Sequence, residues 1–335
     1  MSSAYKVLTP GDLSDIVHPN QAFAVDVLIG LSGSPKRLQS KYFYDDKGSR
    51  LFQEIMGLSE YYLTDCEFEI LETYKSDITA MLAAGEHNIV ELGAGDGLKT
   101  SVLIEELQKT DVNFRFVPID ISEGAMDTLI DSVSEKFPSI RTEGIVAEYF
   151  DGLKWLSNFA DQKNIVLFLG SNLGNFPRAQ AKIFLRSLWN ALNNGDYVLI
   201  GFDLKKDIDL MLRAYNDSQG VTAEFNLNLL DRINRELGGD FNREKFRFYA
   251  SYNVFSGAIE SYLVSLEEQS VFIEEIGQSF SFDAWEPIHT EYSYKFLESD
   301  IESLAAKTGY VIHKRFYDSR KFFTDSLWRV EKEEG

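Results

Sequence analysis

Five short runs of apolar and β-branched residues, separated by amphipathic stretches, constrain this chain more than any other feature. They are NIVEL (Asn88 to Leu92), FRFVPI (Phe114 to Ile119), GIVAEY (Gly144 to Tyr149), NIVLFLG (Asn164 to Gly170) and DYVLIGF (Asp196 to Phe202). Runs that are apolar on both faces belong to central strands of a parallel sheet, and the amphipathic text between them supplies the crossover helices. After Gly97, for example, Leu98, Val102, Leu103 and Leu107 fall on one helical face. The rhythm stops at Asp203, where a polar-amphipathic segment runs to Asp240 and Gly238-Gly239 acts as a helix stop. Residues 246–255 and 258–273 then alternate like antiparallel strands about Ser256-Gly257. Residues 299–310 read as a helix, and 311–317 with 325–332 as a closing strand pair. The pattern predicts an α/β fold: a doubly wound, Rossmann-like sheet from residues 66–202 and 296–335, with a discontinuous α+β domain from 1–65 and 203–295.

The first of these strands runs into IVELGAGDGLKT (Ile89 to Thr100), with glycines at 93, 95 and 97 before a helix. Glycines at such a turn permit positive φ and let a ligand approach the backbone. A dinucleotide fingerprint, G-x-G-x-x-G, would need glycine where Leu98 stands. The E-x-G-x-G-x-G spacing resembles instead the first motif of class I S-adenosylmethionine (SAM) methyltransferases. Asp120, in PIDIS at the end of the next strand, is placed to accept ribose hydroxyls. The plainer alternative makes the glycines turn residues and Asp120 a helix cap.

Charge narrows the partners. With 33 Lys plus Arg against 53 Asp plus Glu, the net charge is −20, which disfavours nucleic acid and anionic membrane surfaces. The single cysteine, Cys66, cannot form an internal disulfide, and a reducing, cytoplasmic setting is expected. Its acidic neighbours Asp65 and Glu67 should raise its pKa. The N-terminal text has no basic-then-apolar leader pattern and no apolar run long enough for a membrane span. His18, His87, His289 and His313 have no metal-ligand spacing, so no metal is expected.

Longer segments carry a more specific resemblance. They are SKYFYDDKGSRLFQEIMGLSEYYLTDCEFEIL (Ser40 to Leu71), VELGAGDGLKT, LFLGSNLGNF (Leu167 to Phe176), DLKKD, AYNDSQGVTAEFNLNLLDRINRELGGDF and HTEYSYKF (His289 to Phe296). In this order they resemble the SAM-dependent L-histidine Nα-methyltransferases of ergothioneine biosynthesis, a family that includes fungal dimethylallyltryptophan N-methyltransferases. The resemblance implies SAM as cofactor, with Gly93, Gly95 and Lys99 at its loop, Asp120 on its ribose, and Glu148 with Tyr149 flanking its adenine. It places Gly170 and Asn175 beside the accepting amine and the amino-acid carboxylate, Tyr44 and Tyr61 along the amino-acid pocket, and Tyr215 on the carboxylate. Glu291 and Ser293 match the pair that grips an imidazole. Where histidine-specific members carry methionine in I-E-M-x-L, this chain reads Ile259-Glu260-Ser261-Tyr262-Leu263, so Ser261 puts a small hydroxyl at that wall.

Methyl transfer from a sulfonium is an in-line displacement, so the protein mainly supplies placement. Asn175 offers an amide with both donors and an acceptor, and Tyr44 or Tyr61 a hydroxyl for proton relay. The expectation is a monomeric enzyme that trimethylates L-histidine to its betaine. Three alternatives stay open: the same chemistry on another amino acid, a nicotinamide-dependent oxidoreductase, and a SAM sensor without catalysis.

Overall fold

The computed structural model describes residues 5–7, 19–82, 86–110, 112–156 and 163–332. Residues 8–18, part of the stretch expected to join the second domain, lie outside the described residues, as does His18. In chain order the elements are β1 (Tyr5–Val7), α1 (Pro19–Ser32), β2 (Lys36–Arg37), α2 (Asp46–Met56), α3 (Tyr62–Thr79), β3 (Glu86–Leu92), α4 (Leu98–Leu107), β4 (Asn113–Asp120) and α5 (Glu123–Lys136). Next come β5 (Arg141–Thr142), β6 (Gly144–Val146), α6 (Tyr149–Leu156), β7 (Lys163–Phe168), α7 (Arg178–Ala191), β8 (Tyr197–Asp203), α8 (Ile208–Ala214) and α9 (Val221–Leu237). The remainder is β9 (Phe246–Asn253), β10 (Ala258–Ser265), β11 (Gln269–Ile273), β12 (Gln278–Phe282), β13 (Pro287–Tyr294), α10 (Glu298–Thr308), β14 (Tyr310–Tyr317) and β15 (Phe323–Val330).

The described residues fall into two compact units, one within Met1–Leu8, Leu63–Lys205 and Lys295–Gly335, the other within Thr9–Tyr62 and Lys206–Tyr294. The first is built on a mixed sheet ordered β1-β6-β4-β3-β7-β8-β15-β14, with β5 beside β4. Its strands are parallel from β1 to β8, and β15 runs antiparallel to both β8 and β14. Strand order therefore reverses about β3, whose neighbours are β4 and β7. In open α/β sheets the crevice at the carboxyl ends of such a pair is where ligands bind. Both faces of the sheet are covered: Val90, Val117, Val166 and Val198 are fully buried on one face, and Phe116, Leu167 and Leu199 on the other.

Two local expectations change. The third run, GIVAEY, predicts a strand to Tyr149, but β6 stops at Val146: the Ala147 N–H makes the last ladder bond, to the Asp120 carbonyl, and the Gly152 N–H then closes on the Glu148 carbonyl as the chain turns into α6. Tyr5–Val7, from the stretch expected with the second domain, instead pairs in parallel with Gly144–Val146 at the edge of the large sheet.

The chain leaves and re-enters this unit at one place. Phe296 N–H donates to the Asp203 carbonyl, Lys205 N–H donates to the Phe296 carbonyl, and the Lys295 ammonium lies 2.7 Å from the Asp203 carboxylate, both fully buried. The second unit contains a four-stranded sheet ordered β2-β13-β10-β9 and the β11–β12 hairpin. Helix α9 packs against β9, β10 and α2. It ends at Gly238, which is left-handed at φ +65, as the Gly-Gly stop predicts.

Candidate active site

In the first unit, the turn after β3 is tied to β4 by the Gly93 N–H, which donates to the Ile119 carbonyl at 2.8 Å. Gly93 has φ +74, and a Cβ there would lie 2.7 Å from Tyr149 Oη and 2.9 Å from Asn172 Nδ2, so only glycine fits. Gly95, at φ +54, is different: a Cβ there would meet nothing within 4 Å, so the backbone presents an open face. The Gly95 N–H donates to Asp120 Oδ2 and the Ser122 N–H to Oδ1, each at 2.9 Å. Burial pushes the Asp120 pKa above its ordinary value, and these backbone hydrogen bonds oppose the shift. Each carboxylate oxygen keeps a lone pair for a hydroxyl. An open glycine backbone beside an oriented acid fits the ribose and amino-acid portion of SAM.

Glu148 follows β6 and Tyr149 opens α6. The Tyr149 ring lies 5.3 Å from Phe168, 5.8 Å from Phe176 and 5.9 Å from Phe184, while its hydroxyl reaches the Gly93 turn. Burial raises its pKa, with the Asp120 charge adding to the effect. Lys99, in the first turn of α4, is paired with an acid that sequence reading left unused: its ammonium is 2.5 Å from Glu67 Oε2, and Glu67 is completely buried. Beneath the same turn lies Glu91, 3% exposed. Burial pushes its pKa up to about 8, against the Thr100 hydroxyl and the Lys99 charge.

The segment after β7 carries Gly170 and Asn175. Gly170 and Ser171 are left-handed, at φ +74 and +57, and the chain then makes a short helical turn over Asn172–Asn175. The Gly170 N–H is held by Glu67, 2.8 and 2.9 Å from its two oxygens. The Ser171 hydroxyl accepts from the Asp203 N–H at 3.1 Å. The glycine turn and the Gly170 loop are thus the ends of the adjacent strands β3 and β7, at the switch point. Cys66 is buried, and its thiol is pushed up to about 12, by burial first and then by Asp318 rather than by Asp65 or Glu67.

In the second unit six expected residues form one continuous cluster. Ser261 on β10 faces Glu291 on β13, and Ile259 faces Ser293. The Ser293 and Tyr215 hydroxyls share a 2.7 Å hydrogen bond. The Tyr215 ring meets Tyr61 edge-on at 6.0 Å, and Phe52 links Tyr61 to Tyr44 at 6.3 and 5.7 Å. A bulge between Ser261 and Tyr262 frees Thr290, whose hydroxyl donates to the Ser261 carbonyl or to Asn226 Oδ1 on α9, at 3.0 and 2.9 Å.

The acids in FYDD and AYND explain why these tyrosines stand where they do. Asp45 accepts from the Gly48 N–H, Asn228 and Arg235, fixing the start of α2 just after Tyr44. Burial works against its ionised form, but these donors hold its carboxyl below the ordinary value. Asp217 likewise accepts the Val221 and Thr222 N–H groups that open α9, two residues after Tyr215. Among the described residues no group of three or more His, Cys, Asp or Glu is arranged to hold a metal ion.

A glycine turn and a strand-end acid at the switch point of a sheet in this order define a class I SAM-dependent methyltransferase. A family model described as histidine-specific methyltransferase, SAM-dependent, matches residues 23–330. The histidine N-alpha-methyltransferase of Mycolicibacterium smegmatis is 36% identical over 289 residues, covering 86% of this chain and 89% of that protein. That of Mycobacterium tuberculosis is 35% identical over 287 residues, covering 85% and 87%. The L-tryptophan methyltransferase trpM of Psilocybe serbica is 28% identical over 321 residues, covering 88% and 89%. The chain belongs to the histidine-specific, SAM-dependent methyltransferase family.

Proposed function

We propose that this enzyme transfers methyl groups from SAM to the α-amine of L-histidine, three times in succession, yielding the trimethylated betaine. The observation that carries the reading is the facing pair Ser261 and Glu291 beside the Tyr215–Ser293 hydrogen bond, a cluster of hydroxyls and one acid whose chemistry suits an amino acid with an imidazole side chain. The names of the similar mycobacterial enzymes support the same acceptor. A net charge of −20 supports a small zwitterion rather than a nucleic acid as partner.

When bound, SAM supplies an electrophilic methyl carbon and departs as its neutral thioether. Asp120 would hold the ribose hydroxyls, and the Gly93 to Gly97 turn would let the amino-acid portion lie against backbone. In this reading Asn175 steers amine and carboxylate without adding charge, and Tyr215 donates to the carboxylate. Glu291 accepts an imidazole N–H through a charge-assisted hydrogen bond. Tyr44 or Tyr61 relays the proton each methylation must shed, and their rings stabilise the quaternary ammonium product by about 0.5–2 kcal/mol.

Incubation with SAM and each of the twenty standard amino acids, read by mass spectrometry, tests the acceptor. Histidine is expected to gain up to three methyl groups. Histidine left unmodified while another amino acid, tryptophan included, gains methyls would overturn the assignment and make Ser261 the determinant of a different specificity.

A further inference from the structure

Three carboxyl groups converge on one ammonium in the interior of the first unit. Glu67 (α3), Glu91 (β3) and Asp325 (β15) surround Lys99 (α4), with Asp96 of the glycine turn the next acid toward Glu91. Glu67 and Asp325 are both completely buried. Full ionisation would leave net negative charge in a desolvated site, which is prohibitively costly. The fold makes room for the arrangement at Gly201 of β8: a Cβ there would overlap Glu67 Oε1, and Gly201 is the direct cross-strand partner of Asp325. Side chains of such partners share one face, so Asp325 stands beside the Glu67 carboxylate.

Glu67 accepts from the Gly170 N–H with both oxygens and from the Lys99 ammonium with one. Neither oxygen of Asp325 meets a donor among the described residues. A carboxyl group in that position is satisfied if it is the protonated member of the pair and donates to Glu67.

We propose that Asp325 and Glu67 hold one proton between them and act as a positioning pair, in which Glu67 sets the Lys99 ammonium and the Gly170 N–H together while Asp325 supplies a hydrogen-bond donor toward Glu67. Burial and the Glu67 charge both push the Asp325 carboxyl well above the usual range, in the direction this requires. The pair couples the two loops at the switch point: the helix start after the glycine turn and the segment after β7 are fixed by one side chain. The inference rests on the reading that Lys99 serves SAM and Gly170 the accepting amine.

Three variants separate the roles. Asp325→Asn keeps a hydrogen-bond donor toward Glu67 and should hold the SAM KM within about threefold, whereas Asp325→Leu should raise it about tenfold or more. Glu67→Gln turns an amide donor toward Gly170 or Lys99 and should raise the SAM KM and lower kcat, each by about tenfold or more. An infrared difference spectrum, wild type minus Asp325→Asn at neutral pH, should contain the carbonyl stretch of a protonated carboxylic acid. A difference spectrum lacking that band, or Asp325→Asn failing as badly as Asp325→Leu while still folded by thermal melting, would overturn the shared proton. Glu67→Gln with unchanged SAM KM and kcat would overturn the positioning role, and if it does not fold, the Asp325 variants and the spectrum still decide. A wild-type protein that ignores histidine would sink the functional reading, and the same comparisons are then made on the SAM dissociation constant by calorimetry, which needs no acceptor, with the infrared spectrum unaffected.

Discussion

Replacing Glu91 by glutamine should reverse the enzyme's loss of stability at alkaline pH. The side chain is buried under the glycine turn, and its pKa is pushed from 4.5 up to about 8, chiefly by burial. The folded state therefore retains a proton that the unfolded chain releases. Stability from that retained proton is fully present below pH 4.5 and is lost as pH rises through about 8. The gap corresponds to on the order of 5 kcal/mol at most, and relaxation of the site reduces it to about 2–5 kcal/mol. Glutamine imitates the protonated acid and stays neutral throughout. Urea unfolding of both proteins across this window should give nearly equal stabilities at the acid end and a more stable Glu91→Gln at the alkaline end. Titrating groups remote from the Lys99 cluster are common to both proteins and cancel in the comparison. Parallel stability curves, or a wild type that gains on the variant as pH rises, would refute the reasoning.

Other perturbations have separable readouts. Gly93→Ala combines left-handed strain with a 2.7 Å approach to Tyr149 Oη, and should cost about 2–4 kcal/mol by thermal melting. Gly95→Ala meets nothing within 4 Å, so strain alone should cost about 1–2 kcal/mol while calorimetry shows SAM binding weakened at least as much, because the new methyl group projects into the open face. Glu291→Ala should raise the histidine KM about tenfold or more and leave the SAM dissociation constant within about twofold; equal loss of both would make Glu291 a structural residue. Asp45→Ala should cost about 0.5–2 kcal/mol at neutral pH through loss of the α2 cap. Because the Asp45 pKa is depressed below 3.8, that gap should close as pH falls through the folded value, which acid titration of both proteins would show.

What was legible in the sequence followed local physics. Buried strands with crossover helices, the glycine turn and Asp120 at a strand end need only neighbouring residues to be read, and the large sheet contains them in the expected places. The Gly-Gly stop of α9 is equally local. Pairings across long separations were not legible. Glu67 lies 103 residues from Gly170 and reads as one acid among several in an amphipathic helix, yet it holds the Gly170 N–H. The bulge that frees Thr290 toward Asn226 has no sequence mark beyond a polar residue in an apolar helical stripe. The third strand ended early because the chain turns into α6 after Ala147, where the Asp151 and Gly152 N–H groups close on the Glu148 carbonyl, a choice that hydrophobic periodicity does not encode. Placement of β1 at the sheet edge likewise depends on its pairing with β6, 139 residues away.

The central claim, methylation at the α-nitrogen of histidine, is tested most directly by where the transferred carbon goes. Reaction with SAM labelled with carbon-13 in its methyl group, followed by NMR of the product, should show three equivalent labelled methyls on the α-nitrogen and an unmodified imidazole. Label on a ring nitrogen, or none on histidine at all, would contradict the account.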